Sequence, residues 1–166
     1  MLRLARFVRT PHRTILAIGL AAALVLGLAA TAWVNTDRTR RSERASADAL
    51  AVASAATTAI FSYDYRSFDA SVANGRQFIT GEFADEYAQT TQTLKPAAEQ
   101  EQAVVRAEVS AAGVIDASAG QVDILLYVNQ YRRNVNIDGE KVDQNRVVLT
   151  LVNVDGQWKV SHAVAI

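Results

Sequence analysis

The run Thr14–Val34, TILAIGLAAALVLGLAATAWV, contains no charged residue. An α-helix rises about 1.5 Å per residue, so a helix of this length spans about 30 Å, the thickness of a bilayer's hydrocarbon core. The run exceeds the ~7–15-residue apolar core of a cleavable signal peptide. We read it as a transmembrane helix, and it dictates the layout of everything else. Residues 1–13 form a basic cytoplasmic tail, 14–34 the span, 35–44 a tether and 45–166 a separate domain.

Arg3, Arg6, Arg9 and Arg13 precede the span with no acid among them, whereas Arg38, Arg40, Arg41 and Arg44 follow it, interleaved with Asp37 and Glu43. The positive-inside rule counts Lys and Arg and gives acids little weight, so the two flanks nearly tie. The terminal amine adds charge to the first flank, and long domains translocate largely regardless of charge. The expected topology is a single pass through the cytoplasmic membrane, with the tail inside and the domain outside. The competing reading is a cleavable signal with its small-residue site near Ala30-Thr31-Ala32.

Beyond the span, about 130 residues remain, enough for one domain with a real core. The chain has a formal net charge of zero, so it lacks the basic field that nucleic-acid binding requires. It has no Cys, which excludes disulfides and Cys-ligated zinc.

From Thr39 to Tyr63 the chain is rich in Ala and Ser, and Ala49, Val52, Ala53, Ala56, Ile60 and Tyr63 recur at helical spacing. This predicts a first helix whose face of small side chains packs on its own domain or pairs as a stalk with another membrane subunit. Asp69 is placed to cap a second helix running to about Ile79 and stopping near Gly81. A third helix is expected from Glu82, with Phe83, Tyr87, Thr91, Leu94 and Ala98 on one stripe and a kink or break near Lys95, before Pro96. After Gln102 the period changes to alternation. Val105, Ala107, Val109 and Ala111 form one face of a strand. Ile124, Leu126 and Val128 follow in a second strand, and Val147, Leu149 and Leu151 in a third. Asp138-Gly139 and Asp155-Gly156 mark turns. In the last strand Trp158, Val160, His162, Val164 and Ile166 share a phase, which places His162 inward. Helices followed by an antiparallel meander of about four strands read as an α+β fold.

These residues carry a resemblance. Ser62-Tyr63-Asp64-Tyr65-Arg66-Ser67-Phe68-Asp69, Thr80-Gly81-Glu82-Phe83 with Tyr87, Asp143-x-x-Arg146-Val147 and Val154-Asp155-Gly156-Gln157-Trp158-Lys159-Val160 together make the chain similar to the actinobacterial Mce-associated membrane proteins. The resemblance covers essentially the whole chain. It implies an NTF2-like or VirB8-like cone, about three helices packed on a curved sheet. It also implies an accessory, non-catalytic subunit of an Mce-type lipid-import complex, with permease-type proteins as partners and no cofactor.

Such a cone often encloses a pocket. The residues expected to line it or to meet a partner are Tyr63, Tyr65, Phe83, Tyr87, Tyr127, Trp158 and His162, and a lipid or sterol in the cavity is the alternative function. An isomerase of the ketosteroid-isomerase type would need a buried carboxylate base and hydroxyl donors, for which Asp64, Asp69 and the tyrosines are the candidates. No spacing forces two titratable groups together, so no catalytic residue is assigned. One His cannot build a metal site, so none is expected. His12, in the tail, is suited to anionic headgroups. Arg132-Arg133 is either a solvated hairpin tip or a contact for an anionic surface.

Overall fold

The computed structural model describes the backbone of residues 11–166 and the side chains of Thr31, Trp33 and residues 35–166. Two compact units divide the chain, residues 1–40 and 41–166. Among the described residues no helix is long and apolar enough to cross a membrane. The tail expected at 1–13, and all but Thr31 and Trp33 of the side chains of the span expected at 14–34, lie outside the described residues. Helix α1 has the bounds Pro11–Phe61, so residues 35–44, expected as a tether, are helical.

The second unit begins with the last turns of α1. Ala45, Ala49, Ala53, Ala56 and Ile60 are buried there, at the spacing of one helical stripe, and belong to the core. Thr57, also buried, donates its hydroxyl to the Ala53 carbonyl at 2.7 Å and so needs no other partner. The helix stops at Phe61, and Ser62 Oγ accepts the Ala107 N–H at 2.9 Å. Strand β1, Tyr63–Asp64, pairs with Val105 and Val104. The Asp64 carboxylate then accepts the Arg66 N–H at 2.9 Å and caps a 3-10 turn, Tyr65–Ser67.

Helix α2 covers Phe68–Arg76, shorter than expected, and Ser67 rather than Asp69 precedes it. Asp69 sits in its first turn, where an acid suits the helix dipole, and pairs with Lys95 at 2.6 Å. The helix ends before Ile79 because Phe78–Thr80 is held by β5. The Val160 N–H donates to Phe78 O at 2.7 Å, and the Thr80 N–H to Val160 O at 3.0 Å. Gly81 takes φ +64°, a conformation that favours glycine, and opens α3, Glu82–Gln100. Pro96 lies inside α3, and the helix continues through it to Gln100 rather than breaking. A proline removes only its own donor, and the Ala98 face beyond it is buried.

The sheet has five strands in the order β1-β2-β3-β4-β5, one more than expected, because β1 is only two residues long. Strands β2, Val104–Ala117, β3, Gln121–Arg133, β4, Lys141–Val154, and β5, Gln157–Ala165, form an antiparallel meander. Asp155 and Gly156 both have positive φ, 50° and 84°, as the two-residue hairpin predicted for them requires. On the inner face Val122, Ile124, Leu126, Leu149, Leu151 and Val160 are fully buried against the α1 stripe.

Three bulges break the alternation. Ser110 has no partner in the register, which passes from Val109↔Val128 to Ala111↔Tyr127, and Ile115 is likewise skipped. Ser161 is skipped between Leu151↔Val160 and Thr150↔His162. Each bulge serine donates to the neighbouring strand, Ser110 to Tyr127 O at 3.1 Å and Ser161 to Thr150 O at 3.2 Å. An extra residue reverses the facing of everything after it. Ala111 therefore faces outward with Tyr127, and His162, Val164 and Ile166 are exposed rather than inward.

The helices meet at Gly75. A Cβ built there would stand 2.4 Å from Tyr87 Oη and 3.0 Å from the Ala59 carbonyl oxygen. Overpacking of this kind costs about 1–3 kcal/mol, and the better helix propensity of alanine returns up to about 1. Gly75→Ala is expected to destabilise the protein by about 1–2 kcal/mol in equilibrium unfolding of the full chain. Tyr87→Phe in the same background is expected to recover part of the loss, and simple additivity of the two changes would contradict this contact.

Candidate functional site

The inner face of β3 is apolar from Val122 through Val128 and then turns polar at Gln130 and Arg132. Strand β4 runs the opposite way and places Asp143 across from Gln130 and Asn145 across from Val128. The sheet thus has an apolar floor with one polar end. Arg132 Nη2 pairs with Asp143 Oδ2 at 3.0 Å, and Asn145 Nδ2 donates to Gln130 Oε1 at 3.1 Å. Arg132 Nε is buried and has no partner among the described residues.

Helix α3 lies over this end, and a cavity of about 500 Å³ remains beneath it. From α3 it is lined by Phe83, Glu86, Tyr87, Thr90, Thr91 and Leu94. Ile60–Tyr63, Phe68 and Val72 close one side, and Val105, Gln130, Arg132, Asp143, Val147, Ala163 and Ala165 form the floor. Tyr63 packs edge-on against Phe68 with ring centroids 5.4 Å apart, and Phe83 and Tyr87 are 6.5 Å apart. Burial raises the phenol pKa of both Tyr63 and Tyr87; at Tyr63 Arg132 opposes the shift and Glu101 adds to it, and at Tyr87 Arg76 opposes it. A second concavity, about 890 Å³, lies along Ser54–Ala59, Asn74 and the start of β2, but it is more open to solvent. The less open cavity under α3 has the better shape for a small molecule.

Of the residues singled out in the sequence, Tyr63, Phe83 and Tyr87 line this cavity. Tyr65 does not; it lies in a shallow groove beside Arg66, whose guanidinium carbon is 5.7 Å from its ring. Trp158 is buried in the main core. Tyr127 and His162 lie on the outer face of the sheet, Tyr127 by strand alternation and His162 through the bulge at Ser161.

The carboxylates weighed as bases are also elsewhere. Asp64 is held below the usual carboxylate range by hydrogen bonds from Arg66, and Asp69 pairs with Lys95. The acids that do line the cavity, Glu86 and Asp143, and the base Arg132 were not assigned there from sequence. For Arg132 and Asp143 a signal was present: Gln130 and Arg132 share the inward phase of Val122–Val128 on β3, and Asp143 and Asn145 that of Val147–Leu151 on β4. Arg133, by contrast, reaches Glu140 at 3.4 Å. No group of three metal-binding side chains occurs among the described residues.

The outer face carries a second feature. Gly113, Leu125, Val148 and Val164 stand opposite one another in a single transverse row. In the neighbouring row Tyr127, 46% exposed, and Ile166, 63% exposed, stand on either side of Arg146.

The sequence profile of a family described as uncharacterized protein Rv1363c/MT1408-like matches residues 13–165. The chain is 33% identical over 145 residues to the protein named outer membrane protein Rv1973 of Mycobacterium tuberculosis, covering 87% of this chain and 89% of that one. Among solved structures it is similar to an IcmL-like type IV secretion system protein from Legionella pneumophila, with TM-score 0.58, 16% identity and coverage of 69% and 86%. It is also similar to CagV, a VirB8 homolog of the type IV secretion system of Helicobacter pylori, with TM-score 0.55, 10% identity and coverage of 69% and 93%. At these identities the structural likeness establishes the fold, a VirB8-like α+β domain.

Proposed function

We propose a function on one premise: this chain belongs to the Rv1363c/MT1408-like family. The protein is a non-catalytic accessory subunit of the cell envelope. It is held at the cytoplasmic membrane by a single helix over residues 14–34, with the tail 1–13 inside and the domain outside. Its partners are the bilayer and the permease-type subunits of an Mce-type lipid-import complex. The scaffold works by mass action, because an anchored domain confined to the membrane surface meets its partners at a high effective concentration.

The observation that carries this reading is the apolar row on the outer face of the sheet, half-buried Leu125 and Val148 and exposed Val164, with exposed Tyr127 in the next row. Contiguous exposed apolar surface on a domain is a common mark of a protein interface. Trp33, 74% exposed at the end of the apolar run, supports the anchor, since tryptophans concentrate at the membrane–water boundary. The relative's name, outer membrane protein, supports a place in the cell envelope and does not bear on which membrane holds the anchor. Crosslinking and mass spectrometry in native membranes, with the full chain as tagged bait, test the proposal. Recovery of permease-type subunits, lost on deletion of residues 45–166, is the expected result. Undiminished recovery after that deletion would refute it.

A second reading, a lipid- or sterol-binding module, is favoured by the partly open cavity of about 500 Å³, which falls in the ~300–1,000 Å³ range of small-molecule sites.

A further inference from the structure

We propose that the cavity beneath α3 holds one flexible acyl chain, laid along Ala163 and Ala165 with its headgroup left in water, and that the bulge at Ser161 makes the room for it. The inference rests on the second reading above and names the ligand class and the residues that set its size.

The room follows from the register. Because Ser161 is skipped, Ala163 stands opposite Leu149 and Ala165 opposite Val147, both on the inward face. Strict alternation from Val160 would put His162 and Val164 in those two places. The bulge exchanges an imidazole and a valine for two methyl groups, and both alanines line the cavity of about 500 Å³.

The ligand class follows from the walls. Ile60, Phe68, Val72, Phe83, Leu94 and Val147 offer hydrocarbon on several sides of the space. The aromatic rings do not face one another as flat plates. Tyr63 stands at 62° to Phe68, and Phe83 at 53° to Tyr87. A rigid fused-ring body needs parallel flat walls, whereas a flexible chain follows a broken contour.

The place of the headgroup follows from the rim. Glu86 and Thr90 on α3 and Ala165 at the end of β5 line the cavity and are exposed, so the mouth lies between these elements. The Arg132 and Asp143 side chains, paired at 3.0 Å, are 43% and 47% exposed and stand in the same lining. Thr91 Oγ1 is spent on the Tyr87 carbonyl and Gln130 Oε1 on Asn145. A headgroup at this mouth stays hydrated, and contacts with hydrated charges change affinity by less than about fivefold.

The test is photolabelling in membranes containing the full chain. The probes are a diazirine-bearing hexadecanoate, the matching hexadecanol, a phosphatidylcholine carrying the same diazirine chain, and a diazirine-bearing sterol. Label on residues 82–100 and 157–166 is mapped and normalised to the probe incorporated. The acid and the alcohol are expected to label these segments within about fivefold of each other, and the sterol at least about tenfold less than either. Label from the phosphatidylcholine identifies a bilayer lipid as the source, and label from the single-chain probes alone a free amphiphile; either supports an acyl-chain site. Ala165→Trp blocks the mouth at an exposed position. It is expected to cut labelling by the acid and the alcohol at least about tenfold, with the thermal unfolding midpoint near that of the parent. Deletion of Ser161 is expected to give the same loss by turning His162 and Val164 inward, and should that variant not fold, Ala165→Trp still decides. Sterol labelling equal to that of the acid overturns the chain assignment and leaves the second reading standing. A difference between acid and alcohol beyond fivefold overturns the hydrated headgroup. Parent-like labelling of folded Ala165→Trp overturns the path along β5. A folded parent labelled by no probe on these segments overturns the ligand-binding reading itself.

Discussion

Leu149→Ala is expected to lower the stability of the protein by about 3 kcal/mol, in the middle of the range for fully buried leucines. Leu149 has no exposed surface and stands between Ile124 on β3 and Ala163 on β5, beneath the stripe of small residues from α1. Truncation there removes methyl groups from contact and leaves a hole. Its surroundings are the β-branched Ile124, sheet backbone and alanines, which have few rotamers with which to refill the space. For a unit of this size the loss corresponds to a fall of about 10 °C in the unfolding midpoint of the detergent-solubilised full chain. Val164→Ala, on the opposite face of the same sheet, is expected to stay within about 0.5 kcal/mol of the parent. A loss below about 1 kcal/mol at Leu149 would mean that α1 and the sheet do not pack as described.

Val164→Asp is expected to act oppositely, leaving the fold intact and removing the partner. The side chain is 41% exposed on the outer row, so a carboxylate can stay hydrated in the free protein. Docking of an apolar partner over Val148 and Leu125 would strip water from that charge without supplying a counter-ion, at a cost that reduces association at least about tenfold. The readout is the yield of permease-type subunits with the tagged full chain. The control is Val135→Asp, at a residue more open to solvent, 61% exposed, on the connection between β3 and β4. Retention of partners by Val164→Asp, or equal loss in both variants, would remove the outer face from the proposed interface.

Much of this architecture was legible because it repeats. Strict alternation over Ile124–Val128 and Val147–Leu151 gave strands with the correct face inward. The i, i+4 stripe from Phe83 to Leu94 gave the helix that covers the cavity, and Asp155-Gly156 gave its hairpin. What escaped depends on single residues or on long-range register. Ser161 looks like any outward strand residue, yet it is the unpaired one, and it carries His162, Val164 and Ile166 to the other face. Strand β1 is too short to have a period. The meeting of Arg132 with Asp143 is set by how the β3–β4 hairpin closes, which no local pattern around either residue records. The cavity's aromatic wall was therefore anticipated, and its polar end was not.

The irregular edge of β2 has a consequence for crowding. Beyond Val105 this strand is paired on one side only, by β3, and from Ser110 to Asp116 it is exposed. A straight, uncharged edge of that length is a template on which another copy can add a strand. For a protein proposed to live in a membrane the hazard is greater, because neighbours in a two-dimensional layer share one orientation and collide repeatedly through the same sides. The skipped residues Ser110 and Ile115 interrupt the spacing of free N–H and C=O groups on either side of Ala111–Val114, so an incoming strand loses step after a few residues. The flaws in the ladder thus act as insulation, allowing a high local density of anchored domains without turning that density into a filament.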